Sequence, residues 1–490
     1  MNRYQKANEG IHAPEKLKKK AACSDPPRHY ARWVGAAAAV LAVVLLGGIV
    51  LRPWAMLPEA RAAVLAQAQY PEMAPYPKDE DYFDERGEGD YDAYNKAWRA
   101  WRDSRNRLAP NSEFYELDDF VAASSEEFLG GAGQENRVYS PLNVYMALAM
   151  LAETAGGNSR QQILDLLGED SIESLRSTAT ALWRSNYRND GVVTSIMANS
   201  LWLRDGTSYS QKVLDTLAEQ YYASSFSGKM GSEEYTQALR DWINEQTNGL
   251  LEEEAGGLEL SPDTVMALAS TLYYKAAWRY EFHTENTERE TFHASSGDVD
   301  TDFMHKTTDT TYYWGDNFAA VALPFQNGGQ MWFILPDEGY SVDKLLNSGE
   351  AMNFLLQRPA DGEKATVYSF QKYLEVHLAV PRFDVSSDLN LVGGLKNLGV
   401  TDVFDMDAAD FTPLEASTDD PLYIQKADHA ARVMVDEEGC EAAAYTVLQF
   451  YAGAEAPPDD EVDFVLDRPF LFAVTESGHL PLFVGVVNEP

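Results

Sequence analysis

Helical periodicity dominates the first part of this chain and strand-like patterning the second. Apolar positions that return every three to four residues predict helices near 115–130, 140–152, 159–167, 172–184, 210–223 and 233–247, with shorter ones near 262–267 and 388–398. Alternating or continuous apolar runs predict strands at 196–203, 268–282, 311–324, 330–335, 366–382, 421–426, 430–436, 464–475 and 480–487. Helices come first and most strands later, which implies an α+β fold rather than alternating units.

One stretch combines two habits. Residues 435–450 are acidic at the start, small in the middle and β-prone at the end. Gly439 frees the backbone to bend. From there Cys440, Ala442, Ala444, Thr446, Leu448, Phe450 and Ala452 fall on one face of a strand, and Glu441, Tyr445, Gln449 and Tyr451 on the other. Gly453 to Asp460, with Pro457, Pro458 and two aspartates, read as an exposed loop. A buried-strand pattern that runs into a loop suggests a loop able to become a strand.

This segment resembles the hinge and reactive loop of the serpins, usually Glu-x-Gly-Thr-Glu-Ala-Ala-Ala. Other blocks agree in order. Ser140-Pro141-Leu142 with Val144 to Leu151 resembles the family's core helix; Leu268–Trp278, Ala322–Phe325, Val380–Phe383 and Arg468–Phe472 resemble further serpin blocks. The resemblance covers about residue 112 to residue 490. It implies three β-sheets, about eight to nine helices and an exposed reactive loop at one pole.

Composition narrows the remaining questions. A net charge of −38 argues for solubility and against nucleic-acid binding. Length alone allows two or three average domains, but no break divides residues 112–490, so one large domain is expected. Residues 33–51 carry no charge, and at 1.5 Å per residue they would span about 28 Å, close to a hydrocarbon core of roughly 30 Å. Lys16, Lys18, Lys19, Lys20, Arg28 and Arg32 precede them and acidic sequence follows. The expected layout is a basic cytoplasmic tail (1–32), a single transmembrane helix (33–51), an acidic Tyr/Pro-rich spacer (52–111) and an extracellular domain (112–490). A cleaved signal peptide, ending near Ala66-Gln67-Ala68, is the alternative and would give a secreted protein. The spacer reads as solvated, with one short helix at Tyr94–Leu108. The two cysteines, Cys23 and Cys440, would lie on opposite sides of the membrane, so no internal disulfide is expected.

Catalytic signatures are weak. Ser477-Gly478-His479 places two reactive types side by side, but adjacent residues do not build a triad. His283, His293 and His305 lack ligand-like spacing and read as surface histidines; no metal and no cofactor is expected. The chain is therefore read as a non-enzyme. A membrane-anchored hydrolase would need a nucleophile–base pair that the sequence does not offer.

The resemblance assigns roles elsewhere. Glu437, Gly439, Cys440, Glu441, Ala442, Ala443 and Ala444 correspond to the hinge. Glu437 is expected to face Arg382 at the top of the central sheet, beside Trp278. Ser140, Asn143, Ser270 and His429 are expected to form one polar cluster beneath the strands that part, with Ser and Asn exchanged at 143 and 270 relative to the usual pattern. Cys440 stands where the family usually has Thr or Ser. It reads as a small inward-packing side chain, or as an exposed redox switch.

The implied function is that of a suicide substrate. A serine or cysteine protease cuts the loop, and residues 440–453 insert into the central sheet as a strand of roughly 46 Å. Strand insertion by serpins is itself a standard example of such transitions. Counting from Gly439 puts the cut between Gly453 and Ala454, with Phe450, Tyr451 and Ala452 as alternatives. Small residues there suit an elastase-like or subtilisin-like protease; the absence of Lys and Arg from Val447–Asp460 disfavours trypsin-like ones. The expected protein is a monomer whose partners are a target protease and, through residues 33–51, the membrane. A non-inhibitory serpin-fold binding module is the alternative, and the small residues Ala442–Ala444 argue against it.

Overall fold

The computed structural model describes residues 61–84, 86–108, 115–326, 328–357, 370–414, 422–440, 460–476 and 479–490. The expected tail and anchor lie outside these residues. Among the described residues no helix is long and apolar enough to cross a membrane.

Two hydrogen-bonded networks organise the strands. The central sheet runs in the order Ala63–Ala66, Ala223–Gly228, Thr194–Arg204, Met266–Ala277, Gly439–Cys440, Asp428–Val435 and Phe383–Asn390, with Arg188–Asn189 hairpinned onto Thr194–Arg204. The second network orders Glu461–Val465, Gln371–Pro381, Gly297–Trp314, Phe318–Pro324, Gln330–Pro336, Phe470–Thr475, Pro481–Val487 and Arg137–Tyr139, with Thr287–Ala294 paired to Gly297–Trp314. Two of the three expected sheets are joined here because the 18-residue strand Gly297–Trp314 belongs to both.

The helix Pro141–Thr154 lies at the heart of the packing, between Met266–Ala277 and Pro481–Val487. Ser140 precedes it in extended conformation and Pro141 starts it, where a missing N–H costs nothing. Every residue but Ala147 is buried, which explains a helix without a polar face.

The predicted elements shift where local chemistry overrides the apolar pattern. The strand expected over 311–324 breaks at Gly315, whose N–H bonds to the Phe318 carbonyl in a tight turn. A Cβ at Gly315 would lie 2.2 Å from the Phe318 ring. Pro469 separates Glu461–Val465 from Phe470–Thr475. No helix forms at 262–267, where the strand begins at Met266, and residues 422–426 are not a strand. The hairpin of Thr287–Ala294 with Gly297–Trp314 is missing from the expected strands because most of its positions are polar, although Phe292, Phe303 and Met304 are fully buried. Eleven α-helices stand among the described residues; several of the extra ones, such as Val342–Asn347 and Glu350–Leu355, are single short turns.

The expected solvated spacer is corrected over residues 61–108. Ala63–Ala66 pairs antiparallel with Ala223–Gly228 at the edge of the central sheet, and a helix spans Tyr91–Leu108 with Trp101 and Leu108 buried. Tyrosines and tryptophans that looked like linker residues cover apolar surface. Tyr76 contacts Trp98 and Trp101 edge-on at 5.0 and 5.2 Å, a favoured aromatic geometry.

Candidate functional site

The top of the central sheet is built by a turn that the sequence places between two strands. Asp428–Val435 ends at a four-residue reversal, Asp436 to Gly439, closed by the Asp436 N–H to the Gly439 carbonyl at 3.1 Å. The Asp436 carboxylate accepts from the N–H groups of Glu438 and Gly439 at 2.9 and 3.2 Å, satisfying turn donors locally. The chain then returns antiparallel. Cys440 pairs with Val435 on one side and Ala276 on the other, and Gly439 with Ala277. Among the described residues, Met266–Ala277 and Asp428–Val435 are joined in the sheet only through Gly439–Cys440.

Gly439 is required by space. A Cβ there would sit 2.3 Å from the Ala276 carbonyl oxygen and 2.8 Å from Ala277 Cα. Cys440 is 3% exposed. The expectation that this position is exposed in the uncut protein is therefore corrected, and with it the exposed redox switch: the thiol already packs inward as a small apolar group.

Glu437 and Arg382 meet as anticipated. Arg382 Nε donates to Glu437 Oε1 and Oε2 at 3.0 and 2.9 Å, and Nη2 also donates to Oε1. Thr287 Oγ1 donates a further bond to the same carboxylate. Burial alone would raise the Glu437 pKa, but the bonds from Arg382 and Thr287 hold it below the usual range. Trp278 sits close by as expected. Its indole stacks on Phe325 at 4.8 Å, its Nε1–H donates to the Asp436 carbonyl at 2.9 Å, and its backbone N–H donates to Glu438. Sequence reasoning missed Asp436 and Thr287.

The lower polar group divides into two. The Ser140 backbone N–H donates to His429 Nε2 at 3.0 Å, so Ser140 takes part through its backbone. This bond needs a neutral ring, and burial pushes the His429 pKa down to about 4. Separately, Asn143 Nδ2 donates to Ser270 Oγ at 2.9 Å, Ser270 Oγ donates to Asn199 Oδ1 at 2.6 Å, and Asn199 Nδ2 donates to the Tyr221 carbonyl at 2.9 Å. The exchanged Asn143 and Ser270 thus still bond to each other, and Asn199 extends the chain across Thr194–Arg204. An asparagine inside the apolar run 196–203 was the available signal.

Other predicted residues fall elsewhere. Glu441 and Ala442–Ala444 of the hinge, and Phe450, Tyr451, Ala452, Gly453 and Ala454 around the cut, lie outside the described residues, as do Ser477 and Gly478. His479 Nε2 lies 2.7 Å from Asp118. His293 pairs with Asp298 at 2.8 Å and His305 lies 2.9 Å from Glu290, so each histidine meets its own carboxylate.

Against this geometry the comparisons are direct. The sequence profile of the family described as serpin (serine protease inhibitor) matches residues 117–490. The chain belongs to the serpins. It is 29% identical over 402 residues to the putative serpin-Z6C of Oryza sativa subsp. japonica, covering 76% of this serpin and 94% of the rice protein. It is 29% identical over 385 residues to alpha-1-antitrypsin 1-4 of Mus musculus, covering 76% and 88%. Among solved structures it resembles the thermophilic serpin tengpin in its native state, with TM-score 0.66, 26% identity, and 79% and 98% coverage. In this serpin residues 61–108 precede the matched region and still pack on it.

Proposed function

We propose that this serpin is a suicide-substrate inhibitor of extracellular serine or cysteine proteases, tethered to the cell membrane through residues 33–51. The observation that carries this reading is the hinge strand: Gly439–Cys440 already occupies the position between Met266–Ala277 and Asp428–Val435, antiparallel to both. Continued in the same register, the chain brings Ala442 opposite Tyr274 on the inward face, and Ala444, Thr446, Leu448 and Phe450 follow on that face. All are small or apolar enough to enter a core.

The chemistry belongs to the target protease. Its nucleophile attacks the Gly453 carbonyl carbon, the bond to Ala454 breaks, and the Ala454 nitrogen leaves carrying a proton. The Gly453 carbonyl stays bonded to the protease as an acyl-enzyme. Released at its far end, the segment 440–453 extends the strand begun at Gly439, and the acylated protease is carried along. Ala452-Gly453-Ala454 favours an elastase-like or subtilisin-like pocket.

Incubating the protein with such a protease is the test. A covalent complex that survives SDS, with one protease inactivated per inhibitor, supports the proposal. Clean hydrolysis of the loop with full protease activity would reject it in favour of a non-inhibitory surface binding module.

A further inference from the structure

Residues 61–108 lie outside the serpin-matched region, yet they meet it at three places, at the edge of the central sheet and beside it. Ala63–Ala66 extends the sheet edge, with Ala63 opposite Ser227 and Val64 opposite Phe226. The Tyr70 ring lies 5.2, 6.1 and 6.3 Å from the rings of Trp183, Tyr187 and Tyr222. The third place is Asp190. Trp101 Nε1–H donates to its carboxylate at 3.0 Å, and the Tyr76 N–H donates to its carbonyl at 2.8 Å.

Asp190 opens onto a buried charge cluster. Arg188 Nη1 is 3.9 Å from Asp190, and Arg188 pairs with Glu476 at 2.5 Å; all three side chains are at most 2% exposed. Tyr274 donates its hydroxyl to Glu476 at 3.2 Å. Arg105 of the helix Tyr91–Leu108 completes the group: the Cβ position of Gly328 lies 3.5 Å from Arg105 Nη2 and 3.6 Å from Arg188 Nη2. Arg105 thus sets a second guanidinium beside Arg188, repelled by it and attracted by Glu476 and Asp190, so that two cations stand near two carboxylates. Without Arg105, Arg188 would face both carboxylates alone, and an uncompensated buried charge is strongly destabilising.

The cluster ties the Met266–Ala277 side of the central sheet to the other network. Arg188 is hairpinned to Thr194–Arg204, Tyr274 belongs to Met266–Ala277, and Glu476 directly follows Phe470–Thr475 of the other network. Tyr274 is the next inward residue along the strand from Ala276, which faces Cys440. If Met266–Ala277 parts from Asp428–Val435 by sliding over the other network, the Arg188–Glu476 and Tyr274–Glu476 contacts are the ones that must give.

We propose that residues 61–108 are a built-in latch on the central sheet, in which Trp101 and Arg105 hold the Arg188–Glu476 pair closed, so that release of the segment favours opening. Both are positioning residues. The latch rests on the sheet-opening part of the proposed function, and its test needs no protease, so failure to trap one would leave it standing.

Full-length Trp101→Phe keeps a ring and removes the N–H; Arg105→Gln removes the charge. Hydrogen exchange is then compared with the parent chain. Amides of Met266–Ala277 and Asp428–Val435 should exchange about ten-fold faster in both variants, the scale of one lost buried bond. Amides of Phe470–Thr475 should not change, and Tyr91→Ala, at a 63% exposed site on the same helix, should leave all rates as they were. Unchanged exchange at the two strands would overturn the latch, as would equal acceleration in Phe470–Thr475, which would mean general destabilisation.

Discussion

Cys440 lies opposite Ala276 in an antiparallel ladder, so the reactive hinge is already, at Gly439 and Cys440, a member of the sheet it is proposed to enter. That register sets which side chains must follow it inward. Ala442→Arg would place an unpaired cation on the inward face, at a cost of several kcal/mol or more. The variant should be cut as a substrate, with the ratio of inhibitor consumed per protease inactivated rising many-fold in a titration.

Gly439→Ala tests the seating of the hinge itself. The new methyl meets backbone atoms that have no rotamer to yield, and overpacking of this kind costs about 1–3 kcal/mol. Hydrogen exchange at the Cys440 amide should accelerate correspondingly, while the distant strand Gln330–Pro336 keeps its protection.

Arg382 and Glu437 should behave as a coupled pair. Arg382 is partly exposed, its side chain 43% accessible, which reduces the value of the bond below that of a buried pair. A double-mutant cycle with Arg382→Gln and Glu437→Gln should give a coupling of about 1 kcal/mol in unfolding free energy. The single variants should also lose the proposed protease-trapping activity faster on warming, because the turn that holds the hinge is loosened.

How much of this was legible in sequence depended on which force decided each residue. The face beginning at Cys440 could be read from its alternation, whereas the Arg382–Glu437 pair was reached only through the resemblance to the serpins, since 55 residues separate the two. The divided polar group could not, since Ser140 acts through its backbone and Asn199 joins from a strand 71 residues from Ser270; neither bond has a local pattern. The segment 61–108 was misread for a related reason. Its Tyr, Pro and acidic residues look like linker, and only tertiary contacts such as Trp101 with Asp190 reveal that its aromatic side chains are spent on packing. Glycine and proline placement explained the split strands only once the turns at Gly315 and Pro469 were visible.

His429 gives a pH signature. An ordinary histidine has a pKa near 6.5, and here burial lowers it to about 4. Above pH ~6.5 the ring is neutral in both states and contributes no pH dependence. As pH falls from ~6.5 toward 4 the unfolded chain binds a proton that the folded one refuses, so stability declines, by about 3 kcal/mol in total, and levels off below the folded pKa. Glu437, with its lowered pKa, adds its own loss only at lower pH, as acid falls through its folded value. Denaturation between pH 7 and 5 should therefore show a slope that His429→Gln largely removes.

The central claim is that cutting the loop lets residues 440–453 complete the strand begun by Gly439 and Cys440. Intact protein and protein cut near Gly453 should be compared in one thermal melt. The account predicts that the cut form melts higher by tens of degrees, since a full ladder of bonds and the burial of Leu448 and Phe450 are gained together. Equal melting temperatures would contradict it.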